Sequence, residues 1–268
     1  MKPWSALNPP PPTARPADPR AEPEPVFLTA EWRWLAMLNY EVDAKILAPF
    51  VPAGTELDAW NGNFFVSVVG FRFLHTRVWG IPVPCHRNFE EVNLRFYTRR
   101  NSSAGWRRGV VFIKELVPRP AIAWAARTFY NENYVALPMS HRIETAAGEV
   151  KSVRYAWRFN GRENSLSLAV RGGAQPMREG SEAEFIAEHY WGYSIQRDGS
   201  TLEYQVEHPP WRVWETRAAK LEGDLANLYG GPWAEVLGRA PVSAFLADGS
   251  AVIVRKGAPL PPRRPAVP

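Results

Sequence analysis

The chain has 268 residues, 46% of them apolar, with twelve tryptophans, which is enough to build a sizeable packed core in one large β-rich domain or two small ones. A single cysteine, Cys85, excludes a disulfide framework within the chain and fits a reducing compartment. The formal charge of +5 is a property of one end. Arg255, Lys256, Arg263 and Arg264 supply +4, residues 1–25 sum to zero, and the body from 26 to 254 nets +1. That distribution argues against a nucleic-acid partner.

Residues 1–25, MKPWSALNPPPPTARPADPRAEPEP, hold nine prolines and almost nothing to bury. They read as a disordered or polyproline-II lead-in. Residues 257–268, GAPLPPRRPAVP, read as a second disordered tail rich in proline and arginine. Lys2 is followed by no apolar h-region, so no secretory signal is expected, and no apolar run reaches the roughly 18 residues that span a bilayer. The expectation is therefore a cytoplasmic protein without a membrane partner, with one β-domain over residues 26–256.

Between the tails, punctuation for tight hairpins recurs. Asn61-Gly62, Asn160-Gly161, Asp198-Gly199 and Asp248-Gly249 each separate stretches rich in β-branched and aromatic residues, and such pairs supply the positive φ angles of two-residue turns. Helices are few. Asp43 can cap DAKILAPF, and Pro120 can open PAIAWAARTFY. Ser181 with Glu184 forms a capping-box pattern before FIAEHYW, while Leu221, Leu225 and Leu228 follow helical spacing. The fold class expected is mostly β, a single closed or strongly curved antiparallel barrel with a few peripheral helices.

Two adjacent strands concentrate the chemistry. In NFEEVNLRFYTRR, residues 88–100, alternation puts Glu91, Asn93, Arg95 and Tyr97 on one face and Glu90, Val92, Leu94 and Phe96 on the other. On a sandwich the polar face would be wet; in a barrel it would point into a lumen. In GVVFIKELVP, residues 109–118, regular alternation groups Val110, Phe112, Lys114 and Leu116, and sends Val111, Ile113, Glu115 and Val117 the other way. An ammonium in such a strand either snorkels to water or is a chemical group in a pocket. The loop NSSAGW makes the two strands a hairpin that could bring Lys114 near Arg95 or Glu91.

Other constellations are thinner. Cys85-His86 with Glu90 and Glu91 matches no usual zinc spacing, and His141 and His189 read as structural. No phosphate loop, dinucleotide fingerprint or nucleophile elbow is present, so no cofactor is expected.

NFEEVNLRFYTRR followed by GVVFIKELVPRPAIAWAARTFYNENYVALPM, with the earlier WRWLAMLNYEVDAKILAPFVPAGTELDAWNGNFFVSVVGFRF and the later VEHPPWRVWE, resembles the uncharacterised bacterial YqjF-like proteins, relatives in fold of acetoacetate decarboxylase. The likeness covers about residues 26–255. It implies a cone-like antiparallel barrel with outer helices and a small central cavity. In acetoacetate decarboxylase a cavity lysine forms a Schiff base with a β-keto acid, an enzyme that serves as the standing example of an amine activated by its surroundings. The resemblance matches Lys114 to that lysine and Glu90 or Glu91 to a cavity glutamate. This chain departs from the pattern at Glu115, where the decarboxylase has a second lysine.

The resulting expectation is a barrel that holds a small anionic or carbonyl-bearing molecule. Lys114 and Glu91 are the candidate catalytic groups, and Arg95, Asn93, Tyr97 and Glu90 the candidate ligand contacts. Lys114 should be enclosed with Arg95 and Glu91, whose opposing effects on its pKa partly cancel, which favours binding over imine formation. The alternatives are a Schiff-base lyase acting on a keto acid through Lys114, and a non-catalytic interaction protein working through its proline-rich tails. Homo-oligomerisation is left open.

Overall fold

The structure, a computed structural model, describes residues 24–84, 86–121, 123 and 131–260. Its strands are β1 (Val26–Val42), β2 (Glu56–Leu57), β3 (Phe64–Val78), β4 (Ile81–Pro82), β5 (Phe89–Ser102), β6 (Gly105–Val117), β7 (Tyr134–Ala136), β8 (Met139–Ala146), β9 (Glu149–Phe159), β10 (Arg162–Pro176), β11 (Trp191–Ile195), β12 (Thr201–Glu207), β13 (Arg212–Glu222), β14 (Ser243–Arg255) and β15 (Ala258–Pro259). Short helices sit between them, among the described residues α1 (Ala44–Leu47), α2 (Glu182–Ala187), α3 (Leu225–Tyr229) and α4 (Trp233–Leu237). The chain is mostly β, as its composition and turn pattern require.

Strands β12, β11, β6, β5, β3, β1 and β14 follow one another by hydrogen bonding, and β14 returns to β12 through Val206↔Val254 and Glu207↔Ile253, closing a ring. All neighbours in the ring are antiparallel except β6 and β11, which run parallel at Gly109 and Gly192. A wing of β13, β10, β9 and β8 continues from β14 and folds back over the outside of the ring.

The two faces of the ring strands therefore bury against different partners. Leu38, Val66, Val68, Leu94 and Phe96 point outward and pack on Tyr155, Trp157, Leu166 and Leu168 of the wing, together with α3 and α4. Met37, Val69, Phe71, Tyr97, Phe185 and Trp211 fill the inside. Each fully buried aliphatic or aromatic side chain contributes about 1.5–3 kcal/mol. A strand buried on both faces explains why FFVSVVGFRF reads as a nearly continuous apolar run.

The turn chemistry holds at three of the four expected places. Asn61 and Gly62 have φ of 51° and 85°, Asn160 and Gly161 have 49° and 74°, and Gly199 has 81°. Trp60 and Asn63 form only an isolated bridge across the first of these, because β2 pairs with β5 instead. The fourth is a correction: Asp248-Gly249 is no hairpin but lies inside β14. Gly249, with φ of 79°, bends the strand where a Cβ would fall 1.9 Å from the carbonyl oxygen of Trp32. Before the bend, Phe245–Ala247 pair with β13; after it, Ile253 and Val254 pair with β12. One strand thus turns the corner between wing and ring.

Asp43 caps α1 through the Lys45 amide at 2.8 Å, and Ser181 caps α2 through the Glu184 amide at 3.3 Å. Leu221 belongs to β13 instead of sharing a helix with Leu225 and Leu228. Most of the segment opened by Pro120 lies outside the described residues, as does most of each tail. The expected start of the C-terminal tail at 257 moves outward: Ala258–Pro259 pair with β12, and the Leu260 amide donates to the Thr201 carbonyl at 2.8 Å.

Candidate functional site

Along β5 the odd residues from Phe89 to Tyr97 face the interior and Val92, Leu94 and Phe96 face the wing. Glu91, Asn93, Arg95 and Tyr97 are all buried, so the polar face of this strand is enclosed. Asn93 Nδ2 donates to Glu91 Oε1 at 3.0 Å, and the Tyr134 hydroxyl donates to Glu91 Oε2 at 3.3 Å.

The neighbouring strand breaks its alternation at one point. Leu94 pairs with Lys114 and Arg95 with Phe112, leaving Ile113 unpaired as a β-bulge. Phe112 faces inward with Arg95, and from Lys114 onward the facing is the reverse of regular alternation. Glu115, opposite Asn93, enters the interior, while Lys114, opposite Leu94, goes to the wing side. Its Nζ donates to the carbonyl of Leu228 and lies 5.8 Å from the Tyr229 ring centroid. Lys114 is therefore a cation on the C-terminal turn of α3, and not a group of the interior. Burial lowers its pKa. Glu90 is also outside, paired with His141 Nδ1 from β8. The expected grouping of Glu91, Asn93, Arg95 and Tyr97 on one enclosed face matches this arrangement; Lys114 and Glu90 do not join it.

Glu115 brings a group that alternation had sent to the opposite face. Beside it, β7 runs parallel to β6 with Tyr134 opposite Glu115, and Glu132 stands just before β7. Tyr204 donates to Glu132 Oε1 at 2.7 Å. The Tyr204 ring occupies space that a Cβ on Gly192 would fill, at 2.1 Å, so glycine there is a condition of this placement. Burial pushes the carboxyls of Glu91 up to about 7 and Glu132 up to about 8, against the hydrogen bonds they accept. Burial, then the charges of Glu132 and Glu91, push Glu115 well above the usual carboxylate range. Burial and mutual repulsion thus both favour the protonated carboxyl in this group.

A second polar system lies around Tyr97. Ser67 Oγ donates to Asn39 Oδ1 at 2.6 Å, so the Tyr97 hydroxyl, 2.6 Å from Ser67 Oγ, donates to it. Asn39 Nδ2 donates onward to Ser243 Oγ at 2.9 Å, and Ser243 to Glu182. Against the Tyr97 ring lies the imidazole of His189, with centroids 4.7 Å apart. Its Nε2 is 3.3 Å from Asp58 Oδ2, which also accepts from Arg108 Nε at 2.6 Å. Burial pushes the Asp58 carboxyl up, but the bonds and charges of His189 and Arg108 outweigh it and the net shift is downward. Burial, reinforced by the Arg108 charge, lowers His189 to about 4 against the pull of Asp58. His189 is thus neutral, with its proton held on Nε2 by the ionised Asp58.

Arg95 completes the interior. It is 8% exposed; its Nη2 donates to the Ile186 carbonyl at 3.3 Å and approaches Met37 Sδ at 3.9 Å, and its Nε has no partner. No carboxylate lies within 4.0 Å of it among the described residues. His189, expected to be structural, lies in this interior, as do Asn39, Ser67 and Asp58, which are not among the expected site residues. Asn39 in LAMLNYEV and Ser67 in FFVSVVGF are lone polar residues in apolar runs, a signal sufficient to mark them. Among the described residues no group of three or more His, Cys, Asp and Glu is arranged to hold a metal ion, and no helix is long and apolar enough to cross a membrane.

The fold and sequence have known relatives. The chain is 26% identical over 202 residues to the uncharacterized protein YqjF of Bacillus subtilis strain 168, covering 74% of this chain and 80% of YqjF. Among solved structures it superposes on the enduracididine biosynthesis enzyme MppR complexed with pyruvate, at a TM-score of 0.63 and 12% identity, over 90% of this chain and 92% of MppR. It also superposes on acetoacetate decarboxylase from Legionella pneumophila, at a TM-score of 0.61 and 12% identity, over 92% and 93%. The shared feature is the acetoacetate decarboxylase-like fold. The model of the DUF2071 family, described as an uncharacterized conserved protein, matches residues 29–251, and the chain belongs to that family.

Proposed function

We propose that the interior of the ring binds a small organic carboxylate, with the Arg95 guanidinium as its counter-ion. The observation that carries this reading is the buried Arg95, which forms no ion pair among the described residues and whose Nε has no partner, although its charge is felt by Glu91. A guanidinium removed from water needs a charge partner or a full set of acceptors, and Arg95 has one backbone carbonyl and a thioether. Glu91, the nearest carboxyl on its own face, is engaged by Asn93 and Tyr134 instead. A carboxylate on Nε and one terminal nitrogen would supply the missing acceptors in a two-point arrangement. MppR, which shares the fold, has been solved with pyruvate, a molecule of this class.

The reading does not run through an imine. Among the described residues Lys45, Lys151, Lys220 and Lys256 are exposed, and Lys114 is bound to α3 outside the ring. Among the described residues no lysine amine is in place to attack a carbonyl in the interior. The test is calorimetric or NMR titration of the full chain with acetate, propionate and pyruvate. Saturable binding that is lost in Arg95→Met supports the reading. Binding unchanged in Arg95→Met, or absent from the wild type, overturns it.

A further inference from the structure

Arg95 Nε is not alone among the interior's buried polar atoms without a partner: Asn93 Oδ1, Glu115 Oε2 and His189 Nδ1 share that condition. The His189 side chain is 1% exposed, and its Nδ1 has no hydrogen-bond partner. Since ionised Asp58 fixes the proton on Nε2, the free Nδ1 carries a lone pair and acts only as an acceptor. The imidazole packs against the rings of both Tyr97 and Phe185, at 4.7 and 5.2 Å, which are themselves 5.5 Å apart, and Arg95 Cζ lies 5.7 Å from the same Tyr97 ring. The unsatisfied donor of Arg95 and the unsatisfied acceptor of His189 therefore border one aromatic ring. Tyr97 itself has committed its proton to Ser67, so it offers a ligand no donor.

Building on the carboxylate reading, we infer that the molecule held is a hydroxycarboxylate, its carboxylate on Arg95 and its hydroxyl donating to His189 Nδ1. A lone ketone has no proton to give and would leave Nδ1 unpaired. An ammonium has protons, but it would sit in the fields of Arg95 and Arg108, both of which disfavour positive charge at His189. A neutral hydroxyl satisfies the acceptor without that repulsion. Leaving a buried acceptor unpaired is what separates such ligands, because the penalty falls on the analogue that lacks the donor.

The test compares lactate, propionate, pyruvate and alanine on the full chain by titration calorimetry, in wild type, Arg95→Met and His189→Phe. His189→Phe keeps a ring against Tyr97 and Phe185 and leaves Asp58 paired with Arg108. Lactate is expected to bind roughly tenfold more tightly than propionate in the wild type, with alanine weakest. That preference should vanish in His189→Phe while propionate affinity stays. In the wild type the Nδ1 resonance of His189, followed by ¹⁵N NMR, should move with lactate and stay put with propionate, a readout that survives a variant that fails to fold. Equal affinity for lactate and propionate, both lost in Arg95→Met, overturns the hydroxycarboxylate inference and leaves the carboxylate reading standing. A preference that persists in His189→Phe also overturns it. No binding of any of the acids overturns both.

Discussion

Lys114 and Glu115 are neighbours in sequence and occupy different compartments, the ammonium on the carbonyl of Leu228 outside the ring and the carboxyl opposite Asn93 within it. One unpaired residue, Ile113, sets this. Its insertion reverses the facing of the end of β6, so the interior receives an acid where regular alternation delivers an amine.

The Lys114→Met variant tests this placement. It removes a charged donor from a helix C-terminus, and a loss of about 1–3 kcal/mol in unfolding free energy is expected by denaturant titration. Carboxylate affinity should match the wild type, and borohydride with pyruvate should leave no adduct on Lys114. Loss of binding with an intact fold would place the amine in the site after all.

Protonation of the interior acids gives stability a definite pH dependence. Glu91 and Glu132, at about 7 and about 8, lie above the usual carboxylate value in the folded chain, so the fold holds protons that the unfolded chain releases. Their favourable term is complete below the unfolded pKa, near 4.5, and is lost as pH rises through about 7 and 8. Unfolding free energy should therefore decline between about pH 6.5 and 8; below that the buried His189, lowered to about 4, contributes the opposite slope. Glu115→Gln, which removes a carboxyl that burial and the charges of Glu132 and Glu91 hold well above the usual range, should flatten the decline and raise stability at pH 8. A profile that rises over this interval would mean that the acids are ionised in the fold.

The bend in β14 makes a sharper claim. Gly249→Ala combines a φ of 79° with a Cβ placed 1.9 Å from the Trp32 carbonyl oxygen. Neither can relax without moving β1, so a loss of at least about 2 kcal/mol is expected, with a fall in melting temperature. Gly199→Ala has a similar φ of 81° but open space around it, and should cost clearly less.

The fold was largely legible because its signals are local. Asn160-Gly161, the cap at Asp43 and the alternation of β5 each depend on a few adjacent residues. The interior was legible only where the strand stayed regular, which is why Glu91, Asn93, Arg95 and Tyr97 were grouped and Lys114 was misplaced. A bulge leaves no mark in IKEL, since an isoleucine fits a regular strand as well as a bulged one. Asp248-Gly249 misled for a related reason: a positive φ serves a strand corner and a hairpin equally. The Asp58–His189 pair joins residues 131 positions apart, a proximity that no local pattern carries.

The pairing of β1 with β14 sets the order of events during synthesis. Val26 is paired opposite Arg255, so one edge of β1 must wait for a strand made much later. A nascent chain can lay β3 against β1 early, yet it carries an open, apolar edge until β14 emerges from the ribosome. Contacts of such sequence separation are slow to form, and an unpaired edge is a template for other chains. The ring therefore closes late in the life of each new molecule, and the interval before closure is when it is most exposed to aggregation.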